Sequence, residues 1–200
     1  MTAVAVDHQG PTLAAALGLT ATRARSAILI LCTVAATALS AQVRFYLPWT
    51  PVPVTGQTFA VLFASAVLGA RLASTSMVAY IGLGVLGAPV FADGEGGWSV
   101  ASGSTAGYLI GFILAAALVG KLADERQDRS LLTCLPAMTA GSALIYATGA
   151  LWLSWHLKIS ASESIELGVT PFLIGDGLKL IAAGLIVPGA WRALARHRRS

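Results

Sequence analysis

The stretch Pro171-Phe172-Leu173-Ile174-Gly175-Asp176-Gly177-Leu178-Lys179, which runs on into Leu180-Ile181-Ala182-Ala183-Gly184-Leu185-Ile186-Val187, decides how this chain is read. It is an apolar helix interrupted by one acid and one base. A charged side chain at bilayer depth costs roughly 2.5–3.5 kcal/mol on insertion scales, so two in one helix need a reason. Three residues apart, Asp176 and Lys179 share a helix face and reach either each other or the same small molecule. On the residues alone two roles stay open. One is an internal ion pair that steadies helix packing; the other is a polar ligand site with Asp176 as acceptor and Lys179 as donor.

Composition supplies the surroundings of the pair. The chain has 200 residues, of which 56% are apolar and 11% charged, and its mean hydropathy is +0.76. Soluble domains carry about 25% charged residues, so this is an integral membrane protein. The net charge is +4, but the basic residues are scattered and lack the aromatic interleaving of a nucleic-acid surface, so no nucleic-acid partner is expected. Cys32 and Cys134 lie in or beside apolar segments and are expected as small buried thiols rather than a disulfide.

Outward from helix six, hydropathy predicts an all-α fold with six transmembrane helices, over residues 24–42, 57–72, 74–90, 104–122, 131–155 and 171–191. They form one membrane domain over 23–192, flanked by a disordered cytoplasmic tail at 1–22 and a basic cytoplasmic tail at 193–200. Helix two is short for a spanning segment, where about 20 residues are usual. In the loop 47–58, Pro48, Pro51 and Pro53 fix φ and remove donors, which makes it stiff and extended. The stretch 91–107 holds Gly94, Gly96, Gly97, Gly103 and Gly107; it is too polar to span and too long for a tight turn.

Charge fixes the expected orientation. With six helices, ten basic residues fall on the side of both termini, only Arg44 and Lys158 face the other side, and the thirteenth is Lys179. The positive-inside rule then puts both termini in the cytoplasm. Trp49, Trp98, Trp152 and Trp155 are expected near the outer interface and Trp191 near the inner one. Asp176 and Lys179 consequently lie about one to two turns into the membrane from the outer face. The proline loop and the glycine-rich loop sit on that same side, so three polar elements converge on an outward-facing cavity.

The residue inventory argues against an enzyme. His8, His156 and His197 fall outside the bundle, so Ser102 and Ser104 have no imidazole base, and neither a zinc motif nor a phosphate-binding loop occurs. No catalytic residue and no metal site is expected. Binding residues are easier to find. Thr55 reads as the cap of helix two, and Gln57, if it points inward, needs amide partners in low dielectric. Tyr80, mid-way along helix three, is a core or interface tyrosine or a ligand contact. Phe91 and Trp98 give the glycine-rich stretch an apolar body, which suits either a connector or a cover over the cavity. The candidate ligand-binding residues are therefore Asp176, Lys179, Gln57, Tyr80, Thr55 and Phe91. Small residues four apart, as in Gly107 with Gly111, Ala116 with Gly120 and Ala137 with Gly141, allow close helix approach.

Four stretches in register resemble the BioY family, the biotin-binding S components of energy-coupling factor transporters. They are Pro51-Val52-Pro53-Val54-Thr55-Gly56-Gln57-Thr58, Gly82-Leu83-Gly84-Val85-Leu86-Gly87-Ala88-Pro89-Val90-Phe91, Gly103-Ser104-Thr105-Ala106-Gly107-Tyr108-Leu109 and Gly175-Asp176-Gly177-Leu178-Lys179. The resemblance runs collinearly from about residue 27 to 190. It implies a six-helix biotin binder of the bacterial plasma membrane that takes part in biotin uptake with a transmembrane T subunit and paired ATPases, and that needs no cofactor. It also implies ligand contact by the acid and the lysine of the last helix, here Asp176 and Lys179. Ser104 and Ala106 stand where the family usually has Pro and Gly, Gly177 stands where it has a larger apolar residue, and the chain contains no asparagine. Biotin chemistry fits these residues: Asp176 accepts a ureido N–H, Lys179 serves the carbonyl or the carboxylate, aromatic rings pack on the thioether ring, and backbone amides of the loop 94–97 receive the carboxylate. The alternatives are an S component for another small vitamin and a structural membrane subunit whose ion pair is internal.

Overall fold

Ser and Thr side chains start the longer capped helices of this protein. Thr22 accepts from Arg25 N and opens α2 (Arg23–Gln42), Ser130 accepts from Thr133 N and opens α7 (Leu131–Leu157), and Ser160 accepts from Glu163 N and opens α8 (Ala161–Gly168). The computed structural model describes residues 12–197. Among these the remaining helices are α1 (Leu13–Ala16), α3 (Gln57–Leu68), α4 (Ala70–Val85), α5 (Trp98–Ala101), α6 (Ala106–Asp124) and α9 (Leu173–His197). Two strands of two residues each, β1 (Arg44–Phe45) and β2 (Val54–Thr55), pair antiparallel and pin the proline loop into a hairpin, with Arg44 opposite Thr55.

Helix α6 is the centre of the bundle, packed most extensively on α7 and also on α3 and α4. Its small residues are the reason. A Cβ on Gly107 would overlap Trp152 and Thr148, and one on Gly111 would overlap Thr148 and Ile145. Lipid gives helices no hydrophobic drive to associate, so close approach through small residues has to supply the packing. Helix α9 packs on α7 and α3, and α2 on α3 and α4.

Each of the six expected segments contains a helix, with two departures in length. Stretches long and apolar enough to cross a membrane are Arg23–Gln42, Ala106–Asp124, Leu131–Leu157 and Ala161–His197. Helices α3, with 12 residues, and α4, with 16, are shorter than the usual span. The break between them is Gly69, whose φ of 82° suits glycine and where a Cβ would collide with the Asp124 carboxylate. Asp124 Oδ2 in turn accepts from Ala70 N at 3.1 Å, so the corner is stapled to the end of α6.

Four other expectations change. The tail 1–22 is ordered from Thr12 onward: Thr12 caps α1, and Leu13, Ala14 and Ala16 are buried in the core, because an alanine-rich turn with one leucine can fill space beside α3. Its first eleven residues lie outside the described part, as do 198–200 of the basic tail, while 193–197 continue α9. Cys134 is buried, but Cys32 is exposed on the outer side of α2. Trp191 is buried rather than interfacial, its indole N–H bonded to Asp128 and its ring covered by the Arg129 guanidinium at 4.2 Å. Finally α8, with four polar residues among eight, forms in the stretch between the fifth and sixth expected segments, to which no element had been assigned.

Candidate ligand-binding site

A cavity of about 470 Å³ opens where the first turns of α3, α6 and α9 meet the proline hairpin and the segment 91–103. That volume lies in the range of small-molecule sites. Its walls are largely apolar, with Phe91, Leu109, Phe112, Ile145 and Phe172 among them, and polar groups enter at the base and at the mouth.

Asp176 forms the base and is only 4% exposed. Its Oδ1 accepts from Lys179 Nζ at 2.6 Å and from Thr58 Oγ1 at 3.0 Å, and its Oδ2 accepts from Tyr146 OH at 2.7 Å. A carboxylate offers roughly four acceptor sites, so about one remains on Oδ2 for a ligand. Lys179 Nζ also donates to Thr55 O at 2.6 Å and to Thr58 Oγ1 at 3.4 Å. All three ammonium donors thus have protein acceptors.

A second relay stands beside this one. Thr55 Oγ1 donates to Gln57 Oε1 at 3.0 Å, Gln57 Nε2 donates to Tyr80 OH at 2.8 Å, and Tyr80 OH donates to Val90 O at 2.9 Å. One amide hydrogen of Gln57 is left over, as an NH₂ group carries two. The residue at the N-cap of α3 is Gly56 rather than Thr55; the Thr55 hydroxyl instead links the backbone and side chain of Gln57.

Of the six residues picked from the sequence, Asp176, Gln57, Thr55 and Phe91 line the cavity. Lys179 and Tyr80 do not, and this departs from their expected role as direct contacts. Lys179 is held beneath Asp176 by its three acceptors. Tyr80 is fully buried behind Gln57, with its ring edge-on to Phe91 at 5.7 Å between centroids. Both act on the cavity through another side chain.

Thr58, Tyr108, Tyr146, Tyr46 and Asp93 line the cavity without having been singled out. Tyr146 was legible in principle: a tyrosine in the middle of an apolar helix needs a partner for its hydroxyl. Tyr108 OH donates to Gly168 O at 2.6 Å and so holds the end of α8 against α6. Asp93 gave no sequence signal, since its role depends on a turn in which it takes a φ of 64°.

The mouth is built around that turn. Arg44 ion-pairs with Asp93 Oδ1 at 2.5 Å, Tyr46 OH donates to Asp93 Oδ2, and Gln42 Nε2 donates to Phe91 O at 2.8 Å. The glycine-rich segment is therefore tied to the end of α2 and to β1. Its amides are occupied as well: those of Gly94, Glu95 and Gly97 donate to Phe91 O, Ala92 O and Gly84 O. The expected cradle of free loop amides for a carboxylate is absent for these three. Trp152 Nε1 donates to Gly103 O at 2.8 Å and fixes the far end of the segment.

A multi-pass helical membrane protein with a polar-based, apolar-walled cavity at one end belongs to the small-molecule-binding membrane proteins. More particularly, this chain is a member of the BioY family, whose profile matches residues 12–196. It is 39% identical over 140 residues to the biotin transporter BioY of Thermotoga maritima, covering 70% of this chain and 81% of that protein. It is 35% identical over 164 residues to a probable biotin transporter BioY of Pyrococcus horikoshii, covering 82% of this chain and 94% of the other. Its fold matches the crystal structure of the S-component for biotin from an ECF-type ABC transporter, with a TM-score of 0.77 over 90% of this chain and 94% of that one, at 23% identity.

Proposed function

We propose that this protein captures biotin at the outer face of a bacterial plasma membrane and passes it inward as the substrate-binding subunit of an energy-coupling factor transporter. Its partners in this reading are a transmembrane T subunit and paired ATPases. Six helices cross the bilayer, α2, α3, α4, α6, α7 and α9, with both termini cytoplasmic. The ten-to-two distribution of basic residues supports that orientation. Biotin as the ligand is supported by the curated relatives, which are named as biotin transporters.

The observation that carries the reading is the buried Asp176 carboxylate with one acceptor site still open toward an apolar-walled cavity. A ureido N–H donates to that site, and the second amide hydrogen of Gln57 serves the ureido carbonyl. The bicyclic ring packs among Phe91, Phe112 and Phe172. Lys179, Thr58 and Tyr146 are positioning residues: their hydrogen bonds hold the carboxylate aimed. No bond is made or broken in the ligand, so binding and release are the whole chemistry of this chain.

Equilibrium binding of labelled biotin to the purified protein tests this. Binding that free biotin competes away and that Asp176→Asn abolishes is the expected result. Full-strength binding in Asp176→Asn would remove the assigned base of the site, and no biotin binding at all would remove the ligand.

A further inference from the structure

The mouth of the cavity carries charge that recognition of a ureido ring does not use. Three carboxylates line the cavity, and two are neutralised: Asp176 by Lys179 and Asp93 by Arg44. The third, Glu95, is exposed and has neither an ion-pair nor a side-chain hydrogen-bond partner among the described residues. Among the described residues no lysine or arginine lines the cavity. The Arg44 guanidinium, which reaches the rim, is already on Asp93 Oδ1 at 2.5 Å, Gln42 O at 3.3 Å and Gln42 Oε1 at 3.4 Å. The amides of Gly94 and Glu95 donate within their own segment, to Phe91 O and Ala92 O, and that of Gly97 donates to Gly84 O of α4.

A ligand anchored by its ring at buried Asp176 sends its tail toward this mouth. A tail carboxylate there meets one uncompensated negative charge and no free cation. A neutral amide loses nothing by comparison, and an ammonium gains an attraction. We infer that the site also takes biotin whose carboxyl is blocked as an amide, preferring amides that end in an ammonium, with Glu95 as the residue that selects the charge of the tail. The inference rests on the biotin reading above and extends it from one vitamin to a class of its conjugates.

The test is equilibrium competition against labelled biotin on the purified full chain, with three competitors: biotin, its N-methyl amide and its amide with 1,2-diaminoethane. The methyl amide should bind within about threefold of biotin, and the ammonium-tailed amide about threefold more tightly than the methyl amide, the scale of an exposed charge pair. Glu95→Gln should erase the difference between the two amides and Glu95→Lys should reverse it. These are ratios within one variant, so a general loss of folded protein does not move them. A methyl amide bound more than about tenfold more weakly than biotin, some 1.4 kcal/mol, overturns the inference alone. So does a difference between the amides that survives Glu95→Gln. Absence of any labelled-biotin binding overturns the biotin reading and this inference with it.

Discussion

Two ion pairs bound the cavity, Asp176 with Lys179 at its base and Arg44 with Asp93 at its mouth. The base pair has side chains 5% and 24% exposed, and each partner makes further hydrogen bonds inside the bundle. The mouth pair is 30% exposed at Arg44 and 39% at Asp93, and joins β1 to the glycine-rich segment. Removing one partner of a buried pair costs roughly 3–5 kcal/mol, because a desolvated charge is left behind. An exposed pair is worth about 0.2–1 kcal/mol. Depth therefore sorts these two into different jobs. The base pair holds a buried carboxylate at the cavity, and the mouth pair ties the segment 91–103 to β1.

That division can be broken by substitution. The largest effect is expected for Asp176→Asn, which removes the negative charge and one of the two acceptor oxygens of the proposed base and strands Lys179. Biotin affinity should fall about a hundredfold or more, in line with the loss of a buried pair, as read by equilibrium binding. Lys179→Met should also weaken binding by at least tenfold and lower the melting temperature in detergent, although Lys179 does not line the cavity. An unchanged affinity in Lys179→Met would show that the lysine is dispensable for aiming the carboxylate. Tyr146→Phe is subtler, deleting one charge-assisted hydrogen bond to Asp176 Oδ2. Such bonds are worth about 1.5–3 kcal/mol, so affinity should drop about tenfold with the fold intact.

At the mouth, Arg44→Ala and Asp93→Asn should each change affinity less than about fivefold. The change should appear as faster dissociation, and the double variant should be no worse than either single one. A loss as large as that of Asp176→Asn would erase the contrast between base and mouth.

The smallest effect is expected at the opposite end of the bundle, where Asp128 is 2% exposed and has no hydrogen bond to Oδ1 among the described residues. Burial pushes its carboxyl above the usual range, and the Trp191 indole and the Arg129 charge pull it back only in part. A carboxyl whose value is raised on folding penalises the folded state above that value, and the penalty is relieved as pH falls through it. Asp128→Asn should therefore raise the melting temperature by about 2 °C at pH 8, and the gain should shrink toward acid. A gain that grows as pH falls would reverse the assignment.

The legibility of these features follows the range of the interactions behind them. Apolar runs placed α2, α6, α7 and α9 within two residues at their amino ends, because bilayer burial is a property of each segment by itself. The Gly69 corner was not visible as a boundary, since the group that leaves no room for a Cβ there is Asp124, 55 positions away in the chain. The base of the site was legible because a charged residue in an apolar helix announces its own cost. The aromatic and hydroxyl partners did not announce theirs: Tyr146 and Thr58 become parts of the site only where α7 and α3 bring them to Asp176.

By itself, then, the sequence determined that this is a helical membrane protein, that Asp176 and Lys179 share a helix face, and that prolines and glycines shape the loops above them. Local periodicity and the energy of placing charge in hydrocarbon are enough for that. Tertiary structure alone decided that Asp176 faces the cavity while Lys179 holds it from behind, that Tyr80 stands behind Gln57, and that Arg44 is committed to Asp93, which leaves Glu95 the one uncompensated charge lining the cavity among the described residues. Those assignments depend on which acceptors other helices and loops deliver within hydrogen-bond reach, and spacing along one chain segment carries no such information.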